Sequence, residues 1–487
     1  VLNLFTSGHE GSAYKSVDMV KGDRGVWSYT ESCGHGTYYT YTVTTSVGTQ
    51  EAVDPYAKAA GLNGNRGMVV DLSRTNPEGW GEDNFATGIK TYSDAVIWEV
   101  HVRDFSNKIA SSNYKGKYLA FTERGLVNEF GQSIGVDYLV NLGITHVHLL
   151  PVYDYATVDE ANPDSQFNWG YDPKNYNVPE GSYSTNPYDG EVRIKEYKQM
   201  VQALHAAGIG VVMDMVYNHT YDANSSFNKI VPYYYYRYTA TGANSSASGC
   251  GNDTASEREM VRKYIVDSVV YWAQEYHLDG FRFDLVGLLD VQTINQIVEE
   301  VHAIRPDILF YGEGWNMDST NREPGTEMAK QGNASKTPGF AYFSDGIRNL
   351  LGGNNGKTTG FASGAAGQEE NLVTNSMAKP GWTTNPTQVV QYASCHDNYT
   401  LADKIILSTG KNAVDETVIK MNNLAAAFYM TAQGIPFIHA GEELLREKLN
   451  SDGSRNHNSY NSPDSVNKID WTDVEKYANN FAYYQGL

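Results

Sequence analysis

The 487-residue chain predicts a closed (β/α)8 TIM barrel preceded by part of a β-sandwich. Three observations carry that reading. From about residue 95 onward, short apolar runs alternate with helix-period segments, the pattern of strands wrapped by crossover helices. Four of those runs end in polar motifs, and a barrel gathers the C-terminal ends of its strands at one mouth. Before them, residues 1–90 carry β-branched and aromatic runs such as Thr37 to Val47, punctuated by Gly and Asn, with no long helical period. The boundaries follow as a partial sandwich over 1–90 and a barrel over 91–487.

Eight strand candidates appear in order. They are Ala95 to Val102, Thr145 to Leu150, Gly208 to Met213, Leu278 to Leu285, Ile308 to Tyr311, Phe340 to Phe343, Gln388 to Tyr392 and Ile435 to Ile438. Each is apolar through most of its length, as strands buried on both faces must be. Helical patterns lie between them: Arg193 to Ala207, with Met200, Val201 and Leu204 spaced for one face, then Glu257 to Tyr276, Gln292 to Ile304 and Met421 to Ala432. A long insertion rich in Asn, Ser, Gly and Tyr, Tyr221 to Ser256, follows strand three. A doubly wound open sheet would need a glycine-rich turn after its first strand. Val102-Arg103-Asp104-Phe105 is not one.

Composition narrows the partners. With 37 basic against 57 acidic residues the net charge is −20, which argues against nucleic acid or an anionic membrane and suits a neutral ligand. The 36 tyrosines include packing residues, but such rings also stack on the apolar faces of sugars. Cys33, Cys250 and Cys395 form no disulfide framework and no zinc pair. Cys395 beside His396 reads as a small buried residue, because no other element of a thiol protease is present. No apolar run reaches the roughly 18–20 residues of a membrane helix. The chain opens at Val1-Leu2-Asn3 without Met and closes in a helix-like segment, which reads as a fragment.

The four motifs supply a coherent chemistry. They are Asp214-Met215-Val216-Tyr217-Asn218-His219, Gly280-Phe281-Arg282-Phe283-Asp284, Tyr311-Gly312-Glu313-Gly314-Trp315 and Ser394-Cys395-His396-Asp397-Asn398. Singly, each has an ordinary explanation: an Asp after a strand is often a helix cap, and Arg282 with Asp284 could be a structural ion pair. Together they suit cleavage of a glycosidic bond, which needs one carboxylic acid and one attacking carboxylate. Side chains alternate along a strand, so Arg282 and Asp284 face the same way. The guanidinium would then keep that carboxylate ionised and oriented. Glu313, beside an indole, has the apolar neighbour that raises an acid's pKa. Asp397 is placed to stabilise an oxocarbenium-like transition state. His219 and His396 suit hydrogen bonds to sugar hydroxyls, and Asp214 is a supporting residue.

The order and content of these motifs resemble the α-amylase superfamily of retaining glycosidases. Asn168-Trp169-Gly170-Tyr171-Asp172-Pro173, preceded by Phe167, resembles the signature of type I pullulanases, which usually has Tyr in the first place. Ser248-Gly249-Cys250-Gly251-Asn252 and the stretch Val266 to Leu289 are similar to the same family. The resemblance implies Asp284 as nucleophile, Glu313 as general acid/base and Asp397 as transition-state stabiliser. It implies that Arg282, His219 and His396 hold the sugar on the non-reducing side of the cut, with Asn398 nearby, Tyr171 stacked on it and Asp172 reaching its hydroxyls. Trp315 would be a platform on the leaving-group side, and Leu285 and Val286 would shape that same subsite; the family often has Met where Val286 stands. Asp464 would contact more distant glucosyl units. Asn218 occupies a place that ligates structural calcium in many amylases, so the metal is left open and no cofactor is required.

The implied substrate is an α-1,6-branched glucan, namely pullulan, amylopectin or limit dextrins. Isoamylase, neopullulanase, an α-1,4-acting amylase or a non-catalytic starch-binding protein are the alternatives. Residues 1–90 are similar to a starch-binding-type module, and the β-sandwich that usually follows such barrels is absent from the sequence. A monomer, secreted or at the surface of a bacterial cell, is expected, with a cytoplasmic location as the alternative.

Overall fold

In the computed structural model, residues 1–354 and 357–487 are described. Eight parallel strands close into a barrel. They are β1 (Ile97–Val100), β2 (His146–Leu149), β3 (Gly210–Met215), β4 (Gly280–Phe283), β5 (Leu309–Gly312), β6 (Ala341–Phe343), β7 (Val389–Gln391) and β8 (Ile435–His439). Every residue of these strands is buried, which explains their nearly continuous apolar sequence. The register aligns Asp214 with Arg282 and Arg282 with Tyr311, so neighbouring strands end at a common level. Gly312 permits that closeness: a Cβ there would sit 2.4 Å from the Phe283 carbonyl oxygen, one residue before Glu313.

Helices α1 (Gly190–Ala206), α2 (Glu259–Glu275), α3 (Val291–His302) and α4 (Glu416–Thr431) wrap the barrel at the expected places. Asp189, Asp290 and Asp415 cap α1, α3 and α4 by accepting from first-turn amides. The face of α1 that meets the barrel is Ile194, Tyr197, Met200, Val201 and Leu204. The insertion after β3 holds the short helix Ser226–Ile230 and two isolated antiparallel bridges. An element the sequence did not suggest is the antiparallel pair Tyr153–Tyr155 with Pro173–Pro179. Its longer strand begins and ends in proline and its register shifts twice, so it shows no clean alternation.

The first 90 residues form one antiparallel sheet of five strands, centred on Tyr38–Thr45, plus the two-stranded ribbon Val20–Lys21 with Trp27–Ser28. This sheet shares the barrel's core through Phe5, Tyr38 and Met68. Beyond it Trp80 stacks on His277, with centroids 4.1 Å apart. No helix among the described residues is long and apolar enough to cross a membrane.

Candidate active site

One guanidinium organises the mouth of the barrel. Arg282 Nη1 donates to Asp214 Oδ1 at 2.9 Å and to Asp284 Oδ1 at 3.0 Å, while Nη2 lies 3.1 Å from Glu313 Oε1. Three carboxylates from β3, β4 and β5 therefore meet on one buried cation. Burial works against the charge of Asp214, but Arg282, His148 and Tyr171 hold its carboxyl at about 2. Burial raises the Asp284 carboxyl, and Asp214 and Asp397 add to this, while Arg282 and Asn218 pull it back. The Asn218 amide donates to Asp284 Oδ2 at 2.8 Å. Glu313 is pushed up to about 7 by burial, opposed by Arg282 and assisted by Asp284 and Asp397. The Leu285 amide donates to Glu313 Oε2 at 3.2 Å from a turn where Leu285 adopts φ 39°. Two adjacent carboxyls thus stand in different environments, one gripped by donors and one prone to hold a proton.

His396 and Tyr171 form the opposite wall. Their rings stack with centroids 5.0 Å apart, and Trp169 meets His396 edge-on at 4.9 Å. The Tyr171 hydroxyl donates to Asp214 Oδ2 at 2.7 Å, tying this wall to the charged cluster. Asp397 is the most open of the acids, its side chain 49% exposed, with Oδ1 3.9 Å from His396 Nε2. His219 is buried, and its ring nitrogens face Asn218 Oδ1 at 2.6 Å and the Tyr171 carbonyl at 2.9 Å. Two residues that the sequence reading passed over complete the network. Glu99 of β1 binds His396, and His148 of β2 lies 3.2 Å from Asp214 Oδ2. Their signal was present: an acidic side chain inside the apolar run Ile97–Val100 and alternating histidines in His146–Leu149, which burial tolerates only when partnered.

Comparison with known proteins bears on this arrangement. Residues 125–243 match the family model for the alpha amylase catalytic domain. A pullulanase of Bacillus subtilis (strain 168) is 39% identical over 98% of this chain and 66% of its own length. The chloroplastic pullulanase 1 of Arabidopsis thaliana is 33% identical over 93% of this chain and 56% of its own. A crystal structure of the pullulanase from Paenibacillus barengoltzii, in complex with maltohexaose and alpha-cyclodextrin, superposes with a TM-score of 0.93 at 42% identity, covering 100% of this chain and 76% of that one. The chain belongs to the pullulanase family. It spans less than two thirds of the length of both curated relatives, the 66% and 56% given above.

Within this pullulanase-family barrel the remaining candidates fall in distinct settings. Trp315 is half-buried with the Arg348 guanidinium 5.6 Å from its ring centroid. A Cβ on Gly287 would lie 2.1 Å from the Trp315 carbonyl oxygen, so the loop after β4 presses directly on that segment. Asp172 has no hydrogen-bond partner for either carboxylate oxygen, and burial pushes it up to about 6. Asn398 adopts φ 65°, turning the chain sharply after Asp397. Asp464 is gripped by Arg103, with Nε and Nη2 each at 2.8 Å, so its carboxylate anchors the loop after β8. Burial raises the Cys395 thiol well above its ordinary value, which suits a packing residue and not a nucleophile.

The Asn218 environment does not fit a calcium ligand set. Its Oδ1 faces His219, its Nδ2 donates to Asp284, and the nearby Asp253 is filled by the Ser245 hydroxyl and the Ala247 and Ser248 amides. Among the described residues the carboxylates close enough to share a cation are Asp154, Glu160 and Glu180. There Arg193 already supplies positive charge, bonding both Glu160 oxygens at 2.7 Å.

Proposed function

We propose that the chain is a retaining glycoside hydrolase that cleaves α-1,6-glucosidic branch linkages in α-glucans such as pullulan, amylopectin or limit dextrins. The observation that carries it is the single guanidinium of Arg282 shared by Asp214, Asp284 and Glu313. It opposes the burial that raises the Asp284 carboxyl and orients that group beside Glu313, which burial pushes up to about 7 as a proton donor. Glu313 donates its proton to the branch-point oxygen as Asp284 Oδ attacks the anomeric carbon, so the glycosidic C–O bond breaks as a carboxylate ester forms. Glu313, now a base, takes a proton from water. The resulting hydroxide adds to the anomeric carbon and releases Asp284, with overall retention. Asp397 opposes the positive charge that develops on the sugar. Tyr171, His396, His219, Arg282 and Asn398 line the subsite that holds the reacting sugar, with Asp172 at its edge and Trp315 and Leu285 beside the leaving branch. No step calls on a metal.

The Asn168 to Pro173 stretch and the similarity to pullulanases over nearly the whole chain support α-1,6 specificity over an α-1,4-acting relative. The test is incubation with pullulan and chromatography of the products. Maltotriose is expected; panose or isopanose would mean α-1,4 cleavage and overturn the specificity, and no product would overturn the activity for this chain. Asp284→Asn and Glu313→Gln should each lower turnover by about three orders of magnitude or more, with circular dichroism unchanged. Near-normal turnover in either would remove that residue from its role.

A further inference from the structure

Glu99 sits in β1 and is 1% exposed, yet it belongs to none of the four motifs. Both of its carboxylate oxygens are spent on one residue. The His396 backbone N–H donates to Oε2 at 2.7 Å, and His396 Nδ1 lies 2.6 Å from Oε1. A buried carboxylate is costly unless its charge is matched. Here the match is a ring that itself lines the candidate site. With Nδ1 held, the other nitrogen, Nε2, is on the side of Asp397. The stack on Tyr171 and the edge of Trp169 leave the ring no room to turn.

We propose that Glu99 is a positioning residue for the reaction: it locks the His396 ring flat against Tyr171 with Nε2–H directed toward the sugar bound beside Asp397. The proposal deepens the glycosidase reading and rests on it. Glu99 accepts from Nδ1–H, so a neutral ring would keep its single proton there and leave Nε2 bare; only the imidazolium presents an N–H at both nitrogens. The Glu99 carboxylate therefore does two things: it fixes the ring's orientation, as a carboxylate does for a histidine bound to a metal, and its charge favours the imidazolium that carries Nε2–H.

The charged groups around His396 agree. Glu99 approaches from β1 and Asp397 from its own loop, both anionic. Arg282 approaches from β4, His439 from β8, and Lys448 from the loop beyond it, with Nζ 3.3 Å from the His396 carbonyl oxygen. Tyr171 and Trp169 cover the ring faces without charge. Burial opposes protonation of His396, and Glu99, followed by Asp397, overcomes it to hold the ring at about 9. Without the Glu99 charge, burial and the surrounding cations would favour the neutral ring.

The experiment compares the wild type with E99Q and E99D, and assigns the His396 ring signals by their loss in H396N. Histidine ring NMR over pH 5 to 9 reads the titration without any need for turnover, and kcat/KM on pullulan is followed over the same range. In the wild type His396 should stay protonated through pH 8. In E99Q it should lose its proton below about pH 7, while E99D, which keeps the charge, should restore protonation and part of the activity. Because Glu313 sets the wild-type alkaline limb near 7, the E99Q limb should move to lower pH, with kcat/KM down by about tenfold or more at pH 8. An unmoved His396 titration in E99Q overturns the proposal. So does a moved titration with an unmoved pH profile. A wild type inactive on every glucan would defeat the glycosidase reading, and the titration would then decide separately whether Glu99 sets the state of the ring.

Discussion

At the scale of single residues, Arg282 is the side chain on which the others depend. Its two terminal nitrogens meet three carboxylates, and its position beside Asp284 follows from strand alternation alone. What alternation cannot supply is the different setting of the two acids proposed for the reaction, Asp284 and Glu313. Asp284 receives Arg282 and the Asn218 amide, whereas Glu313 receives a weaker set of donors in a buried place and is pushed up to about 7. In the proposed mechanism the free enzyme needs Glu313 protonated, so kcat/KM should fall as pH rises through about 7, with slope near one. A profile of kcat/KM against pH that stays flat to pH 9 would take the acid role from Glu313. Glu99 and His148 were legible only as charges inside apolar strands, because their partners, His396 and Asp214, come from distant parts of the chain.

Among the elements, the barrel strands were legible to within two residues at either end, because burial on both faces writes itself as an apolar run. The pair Tyr153–Tyr155 with Pro173–Pro179 was not, since prolines and register shifts erase the period that marks a strand. The turn after β8, Glu442–Leu444, shows how one element is held by others. Glu443 Oε1 accepts from the Trp98 indole of β1 at 3.2 Å and from the Tyr138 hydroxyl of the helix Val136–Leu142 at 2.8 Å, while Oε2 has no partner. Burial pushes Glu443 up to about 7. For an acid whose folded pKa is raised, the folded chain keeps the proton that the unfolded chain gives up. The stability contribution is therefore full below the unfolded value and is lost as pH rises through the folded one. Glu443→Gln, a neutral mimic of the protonated acid, should gain on the wild type by about 3 kcal/mol between pH 4.5 and pH 8. Urea melts at both pH values would show it, and an equal difference at the two would refute it.

For the whole molecule, the first 90 residues and the barrel behave as one packed body. The Tyr264 hydroxyl donates to the Pro55 carbonyl at 2.8 Å, Lys198 Nζ bonds Thr75 Oγ1 at 2.9 Å, and Trp80 lies flat on His277. Calorimetry should therefore record one transition, and residues 91–487 expressed alone should aggregate or melt at least about 10 °C lower, having lost the cover over that surface. Two well-separated transitions would show that the sheet folds independently. The sequence by itself determined the barrel, the order of its strands and the carboxylates at their ends, because strand burial, alternation and motif content are properties of neighbouring residues. Only the tertiary structure decided how burial and Arg282 are divided between Asp284 and Glu313, which residues contact His396, and that Asp464 is an anchor for Arg103. Those outcomes depend on charges and burial contributed by strands far apart in the chain, and closure of the barrel is what brings them together.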